Sequence, residues 1–338
     1  MGLNIREIVP RKEIQFSELK GKVIAVDAFN TIYQFLSSIR QYDGTPLMDK
    51  KGRVTSHLSG LFYRNIHLIL EGLKLVYVFD GKPPELKGVT TEKREEAKEI
   101  AKEKFEQAKR KKDYVEMKKY SQQMTRITKE MINESKELLE ALGIPVIQAP
   151  GEGEAQASYL VREKKAYSVA SQDYDCLLFG SPRLIQNLTL SRKRKIVSGY
   201  SIVYPELIEL EKTLNSLQIN HEQLICLGIL VGTDYNPRGI MGIGQKKALQ
   251  IVQRYKQPTL IFNQFPEANF DWREIFELFK KPNVNKNVKI KFPKLNEAKI
   301  RKILVDEHDF SEERVENQLA KLQDDSEKRK QKGLKDFF

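Results

Sequence analysis

Four short apolar runs, each followed closely by acid, constrain this chain more than any other feature. Residues 22–27 read KVIAVD and residues 75–80 read LVYVFD, both β-rich and both closing on an aspartate. Pro145-Val146-Ile147 is followed by Glu152 and Glu154, and the run 167–171 by Asp173 and Asp175, each pair at i,i+2 spacing. Between the first two runs, residues 31–40 read as a helix, and residues 56–73 place Leu58, Leu61, Phe62, Ile66 and Ile69 on one helical face. Strand–helix units whose strands all end this way predict an α/β protein with a central, mostly parallel sheet flanked by helices. In open sheets of that kind the active site lies beyond the carboxyl ends of the strands.

The second and third runs are separated by a long charged insertion. Residues 82–129 are densest in charge at Lys109-Arg110-Lys111-Lys112, and Ala97, Ile100, Ala101, Phe105 and Ala108 form only a thin apolar stripe. A wider stripe of Tyr114, Met117, Met124, Ile127, Met131, Leu138 and Leu142 takes a second helix back to the core, where Gly143 ends it. The insertion reads as a basic helical element standing over the sheet; a solvated hairpin without a role is the plainer alternative. A further helix is expected at 153–163, then strands at 184–188 and 196–204 around a basic turn at 191–195. Mainly helical structure follows, including 222–233, 245–255 and 272–279. Past Leu322 the sequence turns hydrophilic and reads as a linker. The chain thus divides into α/β regions 1–98 and 131–258, the insertion 99–130, a C-terminal helical region 259–322 and a flexible tail 323–338.

Charge indicates what such a chain meets. Lys and Arg total 58 against 46 Asp and Glu, a formal net charge of +12, so a polyanion is the expected partner: nucleic acid first, an anionic membrane surface second. No apolar run approaches a membrane span and no signal-peptide core opens the chain, so a cytoplasmic location is expected. Arg6 stands where a myristoylation signal wants Ser or Thr. Cys176 and Cys226 lie far apart in apolar surroundings and read as buried structural thiols. His57, His67, His221 and His308 show no ligand spacing and are assigned no chemistry. Neither a P-loop lysine motif nor a dinucleotide-binding glycine fingerprint is present.

The candidate chemistry lies in the acids. Asp27, Asp80, Glu152, Glu154, Asp173 and Asp175 share the predicted active edge, joined by Asp234 of Gly232-Thr233-Asp234-Tyr235 at a helix end. Any one of them could be a cap or turn residue. Together they would repel strongly unless cations neutralised them, and hard dications such as Mg2+ prefer carboxylate oxygen. Two such ions about 3.5–4 Å apart are the usual arrangement for phosphodiester hydrolysis. A second constellation spans residues 236–247, with Gly242 and Gly244 admitting close backbone approach and Lys246 and Lys247 at a helix start. It suits a DNA backbone gripped without reading bases; a tight interhelical turn is the plainer alternative.

These residues resemble the flap endonucleases, in particular the archaeal type, over nearly the whole chain. The resemblance rests on Val26-Asp27-Ala28, on the segment 77–84 around Asp80-Gly81-Lys82, on Ala149 through Ala155, on Ser171-Gln172-Asp173-Tyr174-Asp175 and on Gly232-Thr233-Asp234-Tyr235. It implies an α/β nuclease core with a helical arch. It also implies cleavage of 5′ flaps at the single-strand/duplex junction in replication and repair, with a 5′→3′ exonuclease activity. The expected cofactor is Mg2+, two ions per site, with Mn2+ as the alternative, and the expected substrates are 5′-flap and nicked duplex DNA. By the same resemblance the seven acids are the metal set, Lys87 and Arg94 at the arch base contact the scissile phosphate, and Tyr33 stacks near the unpaired nucleotide. Gly2 packs near the site, and Arg40, Arg64, Gly232, Glu152 and Asp234 lie near bound DNA.

The tail residues Gln331, Leu334, Phe337 and Phe338 are similar to a sliding-clamp-binding box, spanning 331–338. One departure is Pro237-Arg238, where some members carry a serine that helps hold a monovalent cation; carbonyl ligation of K+ at the helix-loop-helix turn is compatible with it. A monomer is expected. The competing readings are a sibling nuclease preferring bubbles, nicks or junctions, and a non-catalytic DNA-binding clamp adaptor.

Overall fold

The computed structural model describes residues 3–82, 88–111, 113–189, 193–196 and 199–335, and their side chains except at 88–95, 193–196, 199–201, 326 and 328–335. A short strand β1 (Lys12–Glu13) precedes β2 (Val23–Asp27), which runs directly into α1 (Ala28–Ser38). After the 39–55 loop come α2 (Ser56–Leu70) and β3 (Lys74–Phe79). Three helices follow, α3 (Gly88–Arg110), α4 (Tyr114–Gln123) and α5 (Lys129–Ala141), before β4 (Val146–Gln148), α6 (Gly153–Arg162), β5 (Ser168–Ala170), the single turn α7 (Asp175–Leu178) and β6 (Arg183–Gln186). Strands β7 (Lys193–Ile196) and β8 (Gly199–Ile202) pair antiparallel with each other, and β9 (Glu206–Glu209) returns to the main sheet. The remainder is mainly helical: α8 (Leu210–Leu217), α9 (His221–Val231), α10 (Gln245–Tyr255), α11 (Pro258–Phe262), α12 (Trp272–Lys280), α13 (Glu297–Arg301) and α14 (Glu312–Lys335).

The main sheet has the order β1-β9-β6-β5-β2-β3-β4. Its stretch from β6 to β4 is parallel, while β9 runs antiparallel to β6 and β1 antiparallel to β9. Strands such as VIAVD and KLVYVF are apolar on both faces because both faces are covered. One layer packs α6, α7, α9, α10 and α12 against the sheet, with Val76, Val78, Leu160, Leu178 and Leu227 at its centre. The other packs α1, α2, α5, α13 and α14, around Ile24, Val26, Leu61, Phe62, Tyr77 and Phe79. Each fully buried aliphatic side chain contributes about 1.5–3 kcal/mol. The polar end of Tyr77 is satisfied by Asn65 Oδ1 of α2 at 2.8 Å. Gly143 has φ +79°, the left-handed position that ends α5 and turns the chain into β4, as the sequence predicts.

Three expectations differ from the structure. The helix expected to run from Tyr114 back into the core is two helices, because Met124 to Thr128 leave the helical path and Thr128 caps α5, its hydroxyl accepting from Met131 N at 3.3 Å. The basic residues Lys193 to Lys195, read as a turn, are strand β7, and the stretch 196–204 contains the end of β7 and β8 rather than one strand. The linker expected after Leu322 is helical through Lys335. Polarity misled there: Glu, Lys, Arg and Gln are strong helix formers, and no proline interrupts them. Among the described residues no helix is long and apolar enough to cross a membrane.

Candidate active site at the carboxyl edge of the sheet

Register places the acids together. Asp27 lies opposite Val78, so Asp80 stands just beyond it on the neighbouring strand, and Val26 lies opposite Ala170, which brings Ser171 beside Asp27. Asp27 is both the last residue of β2 and the N-cap of α1, its Oδ1 accepting from Asn30 N at 3.1 Å. Asp80 leaves β3 and accepts from Gly153 N at 2.6 Å, which ties it to the first residue of α6. The bond from Gly81 N to Gly151 O, 2.7 Å, closes the same two segments backbone to backbone. Glu152 is the N-cap residue of α6 and Glu154 lies in its first turn, where the helix dipole favours negative charge.

Ser171 is the junction. Its Oγ lies 3.2 Å from Asp27 Oδ2 and 3.0 Å from Glu154 Oε1, so its single proton can serve one carboxylate at a time, while it accepts from Asp173 N at 3.1 Å. Asp175 opens α7, is buried, and accepts from Leu3 N at 3.3 Å; the neighbouring Gly2 lies outside the described residues. Asp234 follows α9, next to the buried Tyr235.

These groups also act on one another electrostatically. Burial, then Asp80 and Asp173, push the Asp27 carboxyl up to about 7, against the opposing hydrogen bonds from Asn30 and Ser171. The Cys176 thiol is raised by burial and then by Glu154, Asp27, Asp173 and Asp175. The Tyr235 hydroxyl is raised by burial and then by Glu152, Asp175, Glu154 and Asp234. All seven predicted acids therefore act on one another's neighbourhood. Among the described residues no three of them meet at a single ligating point, so they form a group of carboxylates rather than a finished cage. The donor set is all oxygen, with no thiolate or imidazole ligand, and it fits a hard dication whose charge would offset the mutual repulsion.

The other predicted residues are placed as follows. Tyr33 is 44% exposed on α1, hence not a core aromatic. Arg40 lies just past α1 and is committed to the protein: it donates to Ser37 O at 3.2 Å, Gly44 O at 2.9 Å, Thr125 Oγ1 at 2.6 Å and Ser121 Oγ, fastening α4 to the end of α1. Arg64 is half-buried on α2. Lys87 and the side chain of Arg94 lie outside the described residues, as do Phe337, Phe338 and the side chains of Gln331, Leu334 and Lys195. Helices α3 and α4 pack on each other through Phe105, Ala108 and Met117.

The turn after α9 is rigid. Asn236 Nδ2 donates to Ile229 O at 2.7 Å, and Thr233 Oγ1 donates to Asn236 Oδ1 at 2.8 Å. Gly232 has φ +115° with Pro237 O and Gly239 N 3.0 Å from where a Cβ would sit, so its constraint is internal. Gly242, at φ +77°, and Gly244, the N-cap residue of α10, face open space, and Lys246 and Lys247 are exposed beside them. Ser171 and Asn30 join the site without being marked by the sequence. Nothing in their identity marks them; only the Ser-Gln-Asp run beside an acid pair could have drawn attention to Ser171. Cys176 and Cys226 are free and buried, as expected. His308 sits between Asp49 and Glu134, and His57 against Glu134, in structural contacts remote in sequence from the acids.

A carboxylate-lined strand edge with a basic helical insertion and an open glycine turn fits a structure-specific nuclease of DNA. Comparison with known proteins agrees: residues 4–101 match the XPG N-terminal domain and residues 143–234 the XPG I-region. The chain belongs to the flap endonuclease family. It is 53% identical over 340 residues to flap endonuclease 1 of Thermococcus onnurineus and to that of Pyrococcus furiosus, covering 100% of this chain and 99% of each relative. The solved flap endonuclease-1 from Methanococcus jannaschii superposes with a TM-score of 0.78 at 39% identity, covering 97% of this chain and 100% of that one. The catalytic core of Rad2 in complex with a DNA substrate has the same fold, with a TM-score of 0.69 at 23% identity over 91% of this chain and 95% of that one. Nucleases of this family are metal-dependent and generally use Mg2+.

Proposed function

We propose that this flap endonuclease hydrolyses the phosphodiester at the base of a 5′ flap with Asp27, Asp80, Glu152, Glu154, Asp173, Asp175 and Asp234 holding two divalent cations, Mg2+ or Mn2+. The observation that carries this reading is the contact of Ser171 with Asp27 and Glu154, which joins acids from two separate segments around one hydroxyl. When bound, such ions lower the pKa of an attacking water and offset charge on the phosphoryl oxygens. The protein's own groups do the rest. Ser171 and the amides of Gly153, Asn30 and Leu3 fix the carboxylate oxygens in place, and burial keeps competing water from Asp27 and Asp175.

Tyr33, exposed on α1, stacks on the first unpaired base, and Lys87 and Arg94 steer the scissile phosphate. The open backbone at Gly242 and Gly244, with Lys246 and Lys247, grips duplex phosphate, and a K+ ion at this helix-loop-helix turn would strengthen that grip. Arg64 lies along the duplex path. Gln331, Leu334, Phe337 and Phe338 engage a sliding clamp, and the enzyme acts as a cytoplasmic monomer.

The test compares D80A and D175A with wild type on labelled 5′-flap, 3′-flap, bubble and four-way-junction DNA, with Mg2+ and with chelator. Flap binding is expected to persist while cleavage disappears, and chelator is expected to reproduce the loss in the wild type. Wild-type cleavage by either variant would refute the ligand assignment; preference for junction or bubble would replace the substrate.

A further inference from the structure

The segment that follows α12 is unusual in charge. From Lys280 to Asn296 there are six lysines and no acid, the flanking acids being Glu277 and Glu297. Lys280 pairs with Glu222 and Lys281 with Glu277. Lys286, Lys289, Lys291 and Lys294 are all exposed, and among the described residues none of the four has an ion-pair partner.

Past Lys280 this stretch has no helix or strand, yet it is pinned. The buried Gln156 of α6 accepts from Asn285 N at 2.7 Å and donates to Asn285 O at 3.1 Å. Lys165 Nζ donates to Lys286 O at 3.3 Å and Val288 O at 3.0 Å, and Asn296 N donates to Ala141 O at 2.8 Å. Val284, Val288 and Ile290 pack inward on the core. Like charges held on a fixed backbone repel one another, and a polyanion relieves that repulsion. Phe292, 46% exposed among these lysines, adds an aromatic face. Cationic side chains interleaved with an exposed aromatic suit a single nucleic-acid strand, whose phosphates take the charge and whose bases stack.

Position supplies the rest. The segment begins at a cavity of about 310 Å3 lined by Lys82, Glu152, Phe179, Leu278, Lys281 and Asn283, so its first residues share a wall with the carboxylate site. From there it descends along α6 and passes Gly143, where Pro293 O lies against the turn into edge strand β4. It leads from the acids toward the opposite edge of the sheet.

We infer that residues 286–294 form a track for the unpaired DNA strand beyond the scission point, with Lys286, Lys289, Lys291 and Lys294 on its phosphates and Phe292 against a base. The inference rests on the flap-cleaving reading above. The track lengthens the contact with long flaps and contributes nothing to short ones.

The test uses the full-length enzyme with K286Q/K289Q/K291Q/K294Q and, separately, F292A, on one duplex carrying a 5′ flap of either 2 or 25 nucleotides, together with free oligo-dT. Both variants are expected to bind the long flap and oligo-dT several-fold more weakly. The quadruple variant's log-log salt slope should fall by up to about 3, near 0.7 per lost phosphate contact. Short-flap binding and cleavage should match the wild type in both. Equal losses on both flap lengths would overturn the track in favour of a duplex contact, and unchanged binding throughout would leave the patch to an acidic protein partner instead. A wild type that fails to cleave even the short flap refutes the flap-cleaving reading itself, while the oligo-dT comparison, which needs no cleavage, still judges the track.

Discussion

The amide of Gly153 donates to Asp80 Oδ1 at 2.6 Å, and a Cβ on Gly153 would stand 2.5 Å from that same oxygen. The first residue of α6 thus sets the position of a proposed ligand on another strand, through a space that admits no side chain. G153A is expected to push Asp80 aside while leaving the fold intact. Misplacement of about 1 Å costs on the order of 10²-fold in rate, so single-turnover cleavage should fall by about that much with flap affinity nearly unchanged. An unimpaired rate would show that Asp80 is not held through this contact.

Arg40 offers a separation of roles. Its guanidinium reaches Ser121 and Thr125 from the end of α1 and holds α4 there. R40A should raise amide exchange across α4 and slow cleavage. R40K should rescue little, because an ammonium cannot reproduce the fork of donors. If Arg40 served only as a DNA contact, exchange in the free enzyme would stay as in the wild type and only the salt dependence of binding would change.

Asp49 couples stability to pH. Burial would raise its carboxyl, but the amide and guanidinium of Arg53 and the amide of Lys51 outweigh burial and hold it below the usual range. A depressed folded pKa contributes stability above the unfolded value, near 3.9, and loses it as pH falls through the folded pKa. D49N should therefore melt below the wild type at neutral pH, and the gap should close in acid. A gap that stays constant down to pH 3 would remove this carboxylate from the account of stability.

Grouped acids also predict a response to metal. Ions that bind only the folded state stabilise it by about 2.7 kcal/mol at 100 times their Kd. Mg2+ should raise the Tm of the wild type and chelator should lower it. D27N keeps a capping residue at the start of α1 while removing one of the repelling charges, so it should melt no lower than the wild type in chelator and gain less from Mg2+. The same Mg2+ gain in both would argue against Asp27 as a ligand.

The sequence is most legible where one physical rule acts alone. KVIAVD and LVYVFD are buried on both faces, so they read as parallel strands, and the acid that closes each run marks the active edge. The acids of the four strand segments are neighbours because register, which apolar strand residues specify strongly, carries them there, while Asp234 arrives from the end of α9. Ser171 cannot be read in the same way. Its role is a matter of 3 Å contacts to residues 17 and 144 positions away, which no local pattern encodes. Strands β1 and β9 escape a reading of the sequence for a related reason: Lys12–Glu13 and Glu206–Glu209 are short and carry charge, and only their pairing, β1 with β9 and β9 with β6, makes them strands. Met124 to Thr128 keep an apolar spacing that reads as helix through a real break. The polar run after Leu322 reads as coil although its Glu, Lys, Arg and Gln residues favour helix.

Helix α1 begins at Asp27, inside the group of acids, and ends beside Arg40, which is bonded to α4. One rigid element therefore spans from the carboxylates to the helical insertion. Whatever free energy ion loading transmits along it to the position of α4 must return undiminished in the other direction, since coupling between two binding events is reciprocal. A strand that settles α4 into place would tighten the hold on any bound ions by the same factor, so the enzyme would be most fully armed when its substrate is already in place.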